Sequence, residues 1–449
     1  MDFCVKISLL QTFGRRQSRL RALPTFCHHS KAAKKETLMS IIRPFRALRP
    51  APDLASSIAA LPYDVYSSAE ARRIVEAEPM SFLKIDRAET LLPEGTDLYC
   101  EKVYQTARDT LEKMIQDASF IQEETDCYYI YALTMNGRTQ TGLVGCASID
   151  DYVNGVILRH ENTLEAKELD RIRHIDTCSA QTGPIFLTHR PNDELRGILS
   201  GAKQALPLYD FTSDDSIRHQ VWKIENPDDI KNISRLYSET EHLYIADGHH
   251  RAASAVKVGL SRRAADPGSS GSEEYNFFLS VLFPSDELAI YGYDRVVMDK
   301  NGYTIREFFD KIKNGFHITE TGSRPLRPSC KGEFGMYLDG MWYRLQAKPG
   351  LISADPVKGL DVSVLQDHVL SPILGILDPK TDPRIRFIGE IKGFHALEQA
   401  ADASGGVAFS MYPTSMEELL RIADHGLLMP PKSTWFEPKL RSGLFIHKF

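Results

Sequence analysis

The chain has 449 residues, 42% of them hydrophobic and 25% charged, a balance that suits a folded α/β protein with length for two or three packed domains. No apolar run approaches the roughly 20 residues a membrane-spanning helix needs, which excludes an integral helical membrane protein. Net charge is −6 overall, but residues 1–39 carry eight Lys or Arg against Asp2 and Glu36. The rest therefore holds 46 basic and 58 acidic residues, a body of −12, which argues against nucleic-acid binding through a broad basic surface.

Residues 1–38 are basic and acid-poor. That composition fits a transit peptide, but also a disordered leader ahead of a later start. Met39-Ser40 followed by Ile41-Ile42 looks like a natural start, so the second reading is preferred. The seven cysteines are scattered, with no C-x-x-C and no export-type signal, so a reducing, cytoplasmic compartment and buried thiols are expected.

In chain order, Ile41 to Leu48 reads as extended, and Leu61-Pro62-Tyr63-Asp64-Val65 as a strand end entering a loop. Ser67 or Ser68 is placed to cap a helix holding Glu70, Arg72 and Val75. Val103 to Ile115 has helical spacing with charges on the opposite face. Tyr128–Tyr131 and Gly142–Val144 flank Asn136-Gly137, a strong hairpin signal. A second hairpin is expected over Phe334–Leu345 around Asp339-Gly340. Ser261 to Glu274 reads as a polar surface loop before a strand from Tyr275 to Phe283. The whole is mixed α/β, in blocks 39–154, 155–260 and 275–449.

The segment richest in chemistry is Tyr244-Ile245-Ala246-Asp247-Gly248-His249-His250-Arg251. A short apolar strand meets Asp247-Gly248, and the Ala-rich run from Arg251 to Val258 is a good helix former. Free amides at a helix start make an anion site. Gly248 permits close backbone approach, Arg251 can grip phosphate bidentately, and His249 and His250 can donate hydrogen bonds or bind metal. The plainer reading makes Asp247 a helix cap and the histidines half-buried surface groups.

Upstream, Ile157-Leu158-Arg159-His160-Glu161-Asn162-Thr163 precedes a helix from Leu164 to about Ile175. This sets Glu161, a candidate general base, at a strand's C-terminal end, with His160 tuning it or binding phosphate. Asn162 or Thr163 could instead be an ordinary N-cap. Lys432, Ser433 and Thr434 beside Pro430-Pro431 form a candidate phosphate contact, or else a strand entry anchored by Trp435 and Phe436. Asp64 could bind a substrate amine or shape its turn. His174, Asp176 and His189 read as surface or satisfied residues.

The order His160-Glu161-x-Thr163, helix, Gly183–Leu187 strand, then Ile245–Arg251 resembles the ParB/sulfiredoxin-like fold, and within it the archaeal free-serine kinases. From about Ile41 to Phe449 the chain also resembles the domain-of-unknown-function 1015 family. That likeness is carried by Ile42–Leu48, Pro62–Val65, Tyr244–Arg251 and Met429–Leu440. The kinase resemblance implies a phosphotransferase in which Asp247–Arg251 hold the phosphates of ATP or ADP, with Mg²⁺ bridging them. Glu161 would deprotonate a small alcohol such as L-serine. One departure stands out: Glu161 and Asp247 lie 86 positions apart, farther than in compact relatives, with Asn192–Glu239 as an elaboration.

Two other readings remain open. His160, Glu161, Asp247, His249 and His250 contain enough donors for a metal-dependent hydrolase, although no metal is assigned. A non-catalytic nucleotide-sensing module is the other. The expected partners are a nucleotide and a small molecule, without nucleic acid or membrane, and the exposed hairpins leave a homodimer open.

Overall fold

Asn136 and Gly137 take left-handed φ values of +52° and +78°, the pairing that a two-residue hairpin turn requires. They fold Tyr128–Met135 back on Arg138–Ser148 in continuous antiparallel register, as expected. Asp339 and Gly340 do the same for Glu333–Leu338 and Met341–Ala347. Ser67 caps the helix Ser68–Ala77 through a reciprocal capping box with Glu70. These features are local, and the sequence specifies them locally.

The computed structural model describes residues 39–449, which cluster as one compact unit; the leader reading and Cys4 and Cys27 lie outside the described residues. A nine-stranded mixed sheet runs in the order Ile157–Leu158, Leu243–Asp247, Ile185–His189, Phe277–Pro284, Arg138–Ser148, Tyr128–Met135, Arg218–Ile224, Tyr209–Thr212, with Ile42–Arg43 pairing on Arg138–Ser148. A six-stranded antiparallel sheet contains Tyr293–Val297, Phe316–Gly322, Glu333–Leu338, Met341–Ala347, Ile385–Gly389 and Val407–Met411. Fold class is therefore mixed α/β, as composition and pattern indicated.

The central strands are buried on both faces, which explains their unbroken apolar runs. In Tyr128–Met135, Tyr129, Tyr131 and Leu133 join one cluster while Tyr128, Ile130 and Ala132 join another under the helices. The first cluster continues into Phe334, Leu345 and Phe409 of the second sheet, so the sheets share a core. Phe445, near the C-terminus, is fully buried there and packs on Tyr129 and Tyr131.

Several expectations need adjusting. The helix begun at His249 runs to Ala265, leaving only Asp266 onward as the polar loop. Cys127, Cys146 and Cys178 are buried thiols, but Cys330 is exposed and Cys100 half-buried; all five are free. Of the residues read as surface or satisfied, His174 and His189 are both buried, each with one ring nitrogen at a backbone carbonyl, Ile85 at 3.1 Å and Arg190 at 2.8 Å. Among the described residues, no helix is long and apolar enough to cross a membrane.

Asp294 offers a pH test of the second sheet. Its buried carboxylate accepts the Met411 N–H at 2.9 Å, and burial pushes its pKa up to about 7. An unfolded Asp titrates near ~3.9, so between about pH 4 and pH 7 the folded chain binds a proton the unfolded one lacks. Its contribution to stability must fall as pH rises through that window. Asp294→Asn is expected to melt above the parent at pH 8, with the gap closing toward pH 4; a pH-independent gap would contradict this.

Candidate functional site

Ile157–Leu158 and Leu243–Asp247 are parallel neighbours, with Ile157 opposite Leu243 and Leu158 opposite Tyr244. Both pairs are offset by 86 positions. The same offset separates Glu161 from Asp247, and the two follow the paired strands closely enough for the Asp247 charge to act on Glu161. The long separation, a departure when counted along the chain, is the register itself. Carboxyl ends of adjacent parallel strands are where open α/β sheets gather ligands.

Gly248 follows with φ +93° and caps the helix His249–Ala265 without any side-chain hydrogen bond. The Ala252 N–H donates to the Gly248 carbonyl at 2.9 Å, so the amides before it lack helical acceptors and remain open to an anion. A Cβ on Gly248 would lie 3.0 Å from the Arg251 guanidinium. Gly248→Ala is expected to cost about 1–2 kcal/mol from the left-handed backbone alone. It should also displace Arg251, giving a lower Tm and weaker nucleotide binding; an unchanged Tm would show that the turn relaxes freely.

Asp247 does not cap this helix. Its Oδ2 lies 3.3 Å from Lys439 Nζ and 3.8 Å from Arg251 Nη2. Burial disfavours its charge, but Lys439 and Arg251 outweigh that and hold its carboxyl well below the ordinary range. Arg251 also donates through Nη1 to the Pro184 carbonyl at 2.6 Å.

His249 turns inward. It is buried against His160, edge to face with ring centroids 4.5 Å apart. Burial lowers the His160 pKa to about 4 and drives His249 well below its usual value, with His160 adding to the effect. Both rings are neutral at physiological pH, and three of their four nitrogens make no normal hydrogen bond. His250 faces the other way, its Nε2 accepting the Leu164 N–H at 2.9 Å. Leu164 is the N-cap of the helix Glu165–Cys178 and gives no side-chain cap bond, so neither Asn162 nor Thr163 fills that role. His250 thereby ties the loop bearing Glu161 to the Asp247 turn.

Glu161 is half-buried. Burial raises its pKa, Lys432 opposes the rise, Asp247 adds to it, and Lys380 and Lys167 also lower it. The Met429 N–H donates to the His160 carbonyl at 2.8 Å, docking the C-terminal run beside Glu161. Lys432 adopts a left-handed φ of +59°, unusual for a non-glycine residue, with Nζ 5.5 Å from the Tyr293 ring centroid. Burial works against its charge, but Tyr293, Glu161 and Asp64 outweigh it and raise its pKa. Asp64 is exposed, and its charge is also felt by His250.

Ser433 donates to the Pro430 carbonyl at 2.6 Å, and its own carbonyl accepts from Thr414 at 3.0 Å; these bonds shape the turn. Thr434 is half-buried. Phe436 is buried, while Trp435 remains half-exposed beneath Lys439, whose Nζ sits 4.8 Å from its ring. Lys439 was not singled out from sequence. It lies 192 positions from its partner Asp247, and no local pattern marks it.

Among the described residues, no group of three or more His, Cys, Asp or Glu is placed to hold a metal. His250 is taken up by the Leu164 N–H and Asp247 Oδ2 by Lys439, while His160 and His249 pack on each other in the core. This donor set does not fit a transition metal held by protein side chains alone. It does fit Mg²⁺, which takes one or two carboxylates and relies on phosphate oxygens and water for the rest.

Solved structures similar to this chain include a free serine kinase in complex with AMP (13% identity, TM-score 0.32, 70% of this chain and 92% of that one). A conserved hypothetical protein from Pyrococcus furiosus matches at 13% identity and TM-score 0.33, over 67% and 93%. SbnI with C-terminal truncation from Staphylococcus aureus matches at 10% and 0.36, over 68% and 87%. At such values the likeness does not bear on activity. No curated protein matches the chain. A family model matches residues 42–363, which include Glu161, the Asp247–Arg251 turn and both strands of the 86-position register but stop short of Lys432 and Lys439. The chain belongs to the family described as protein of unknown function DUF1015.

Proposed function

We propose that this chain is a phosphotransferase that moves a phosphoryl group from ATP or ADP to the hydroxyl of a small molecule, with L-serine the first acceptor to try. The observation that carries the reading is the parallel pairing of Ile157–Leu158 with Leu243–Tyr244, from whose ends Glu161 and Asp247 follow close enough for their charges to interact, with Arg251, Lys432 and Lys439 nearby. A protein with an acidic body has gathered cations around two carboxylates at one strand edge. The acceptor rests on the motif resemblance to free-serine kinases.

Phosphoryl transfer asks a protein mainly for positioning and charge stabilisation. The open amides after Gly248 would receive the phosphates, and Lys432 would neutralise charge on the transferring group. Glu161 would accept the hydroxyl proton. Its raised pKa moves it toward neutrality, where a general base works best. Asp247, through the oxygen not turned to Lys439, would hold Mg²⁺, which when bound offsets phosphate charge. His250 would keep the Glu161 loop against the turn, and the buried His160–His249 pair would support both from below.

The test is to incubate the purified full chain with Mg²⁺, ATP or ADP, and L-serine or other small alcohols, and to measure the phosphorylated product. Transfer to at least one acceptor is expected. Nucleotide binding with no turnover would favour the sensing module, and turnover to free phosphate with zinc or manganese alone would favour the hydrolase.

A further inference from the structure

Behind Arg251 lies a small cavity whose largely apolar wall is edged by polar side chains. Its walls come from Tyr63, Asp86, the helix Glu165–Cys178 through Arg171 and His174, the Thr182-Gly183 turn, and Ser442. It has about 20 Å³ open to the centres of water-sized molecules, somewhat more than the ~10–15 Å³ one water needs. That space is enough for about one or two water-sized atoms and excludes a nucleotide.

Two guanidinium groups meet at this cavity, and both are largely buried: the side chains of Arg171 and Arg251 are 9% and 13% exposed. Arg171 lies over the Tyr63 ring at 4.0 Å and holds Nε and Nη2 at 2.8 Å from Asp170 Oδ2. Its Nη1 has no hydrogen-bond partner among the described residues. Arg251 gives Nη1 to Pro184 and borders Asp247 on its other side.

His174 supplies an independent observation. Its Nε2 lies 3.1 Å from the Ile85 carbonyl, so that nitrogen carries the proton. Nδ1 is then a bare acceptor, buried and without a partner. Asp86 accepts from Thr182 at 2.7 Å through one oxygen only. Gly183 keeps the cavity open, since a Cβ there would lie 3.2 Å from Ser442 Oγ and 3.5 Å from Arg251 Nη1. Donors on one side and unpaired acceptors on the other describe a site for a carboxylate whose neighbouring carbon bears a hydrogen-bond donor. With the Nε and Nη2 edge of Arg171 on Asp170 and Arg251 Nη1 on Pro184, Arg171 Nη1 is the donor left for such a carboxylate.

We infer that this cavity is a carboxylate-binding subsite that takes the head group of a small α-amino or α-hydroxy acid between Arg171 and Arg251. It rests on the phosphotransferase reading only for its purpose, because Arg251 is the wall shared with the Asp247 turn and would place the ligand's far end beside the phosphates. Binding itself needs no nucleotide.

The test is calorimetric titration of the full chain, without nucleotide, with L-serine, glycolate, acetate and sulfate. L-serine or glycolate should bind saturably and more tightly than acetate or sulfate. Arg171→Gln should weaken that binding at least tenfold. Because Arg171 is buried, Gly183→Ala provides a second variant that keeps every charge and has no left-handed backbone to strain; it too should weaken binding, with an unchanged Tm. The inference is overturned if no carboxylate binds saturably, if sulfate binds as well as the acids, or if Gly183→Ala binds like the parent. Acid binding without phosphoryl transfer would leave the subsite standing and remove the kinase reading.

Discussion

Glu161→Gln is expected to lower phosphoryl transfer by about 10²–10⁴-fold, the usual range for loss of a general base, while ADP binding stays within a few-fold of the parent. Gln matches the shape and packing of Glu161 but cannot accept the proton. The parent's pH profile should fall on the acid side at a pH above the ordinary glutamate value, since burial raises this carboxyl. Asp247 titrates too low to set that limb. Lys432→Met should move the limb further up, because Lys432 is the main charge opposing the rise. Initial rates across pH, with calorimetry for ADP, check all three statements. A Glu161→Gln chain with full activity would remove Glu161 from the chemistry.

The second large effect is expected from Asp247→Asn: transfer falls at least 10²-fold, while ADP binds more tightly when Mg²⁺ is absent. Asp247 is the anion that balances Lys439 and Arg251. Removing it leaves two cations at a helix N-terminus, where a phosphate is already favoured. A unit charge about 6 Å away is worth ~3 kcal/mol at an effective dielectric near 20. The side chain is 37% exposed, and solvent screening reduces this to ~1 kcal/mol, or several-fold in affinity. The same substitution should make ADP binding insensitive to Mg²⁺. If Asp247 serves only to shape the turn, affinity will fall with and without the ion alike.

These expectations show which parts of the site could be read along the chain. The Asp247–Arg251 turn was visible because strand, glycine and helix are consecutive and each obeys local rules. The assignment of one shared task to its residues was coarser than the fold allows. In a helix's first turn, neighbouring side chains point in different directions: His249 goes into the core, His250 to the Leu164 loop, and Arg251 back over Gly248. Taken together as one phosphate grip, Asp247, Gly248, His249, His250 and Arg251 include side chains that the helix start sends to different surroundings.

The local pieces are legible along the chain: the hairpins at Asn136-Gly137 and Asp339-Gly340, the Ser67 cap, the central strands and the glycine turn before His249. Each depends on backbone preferences and periodicity within a few residues. Folding of the sheet is what carries Glu161 and Asp247, 86 positions apart, to the same edge. It also brought Lys439 to Asp247 across 192 positions and closed Arg171 and Arg251 around one cavity. Parallel pairing and long-range ion pairs leave no local pattern, because their energy comes from surfaces that meet only after the sheet has formed.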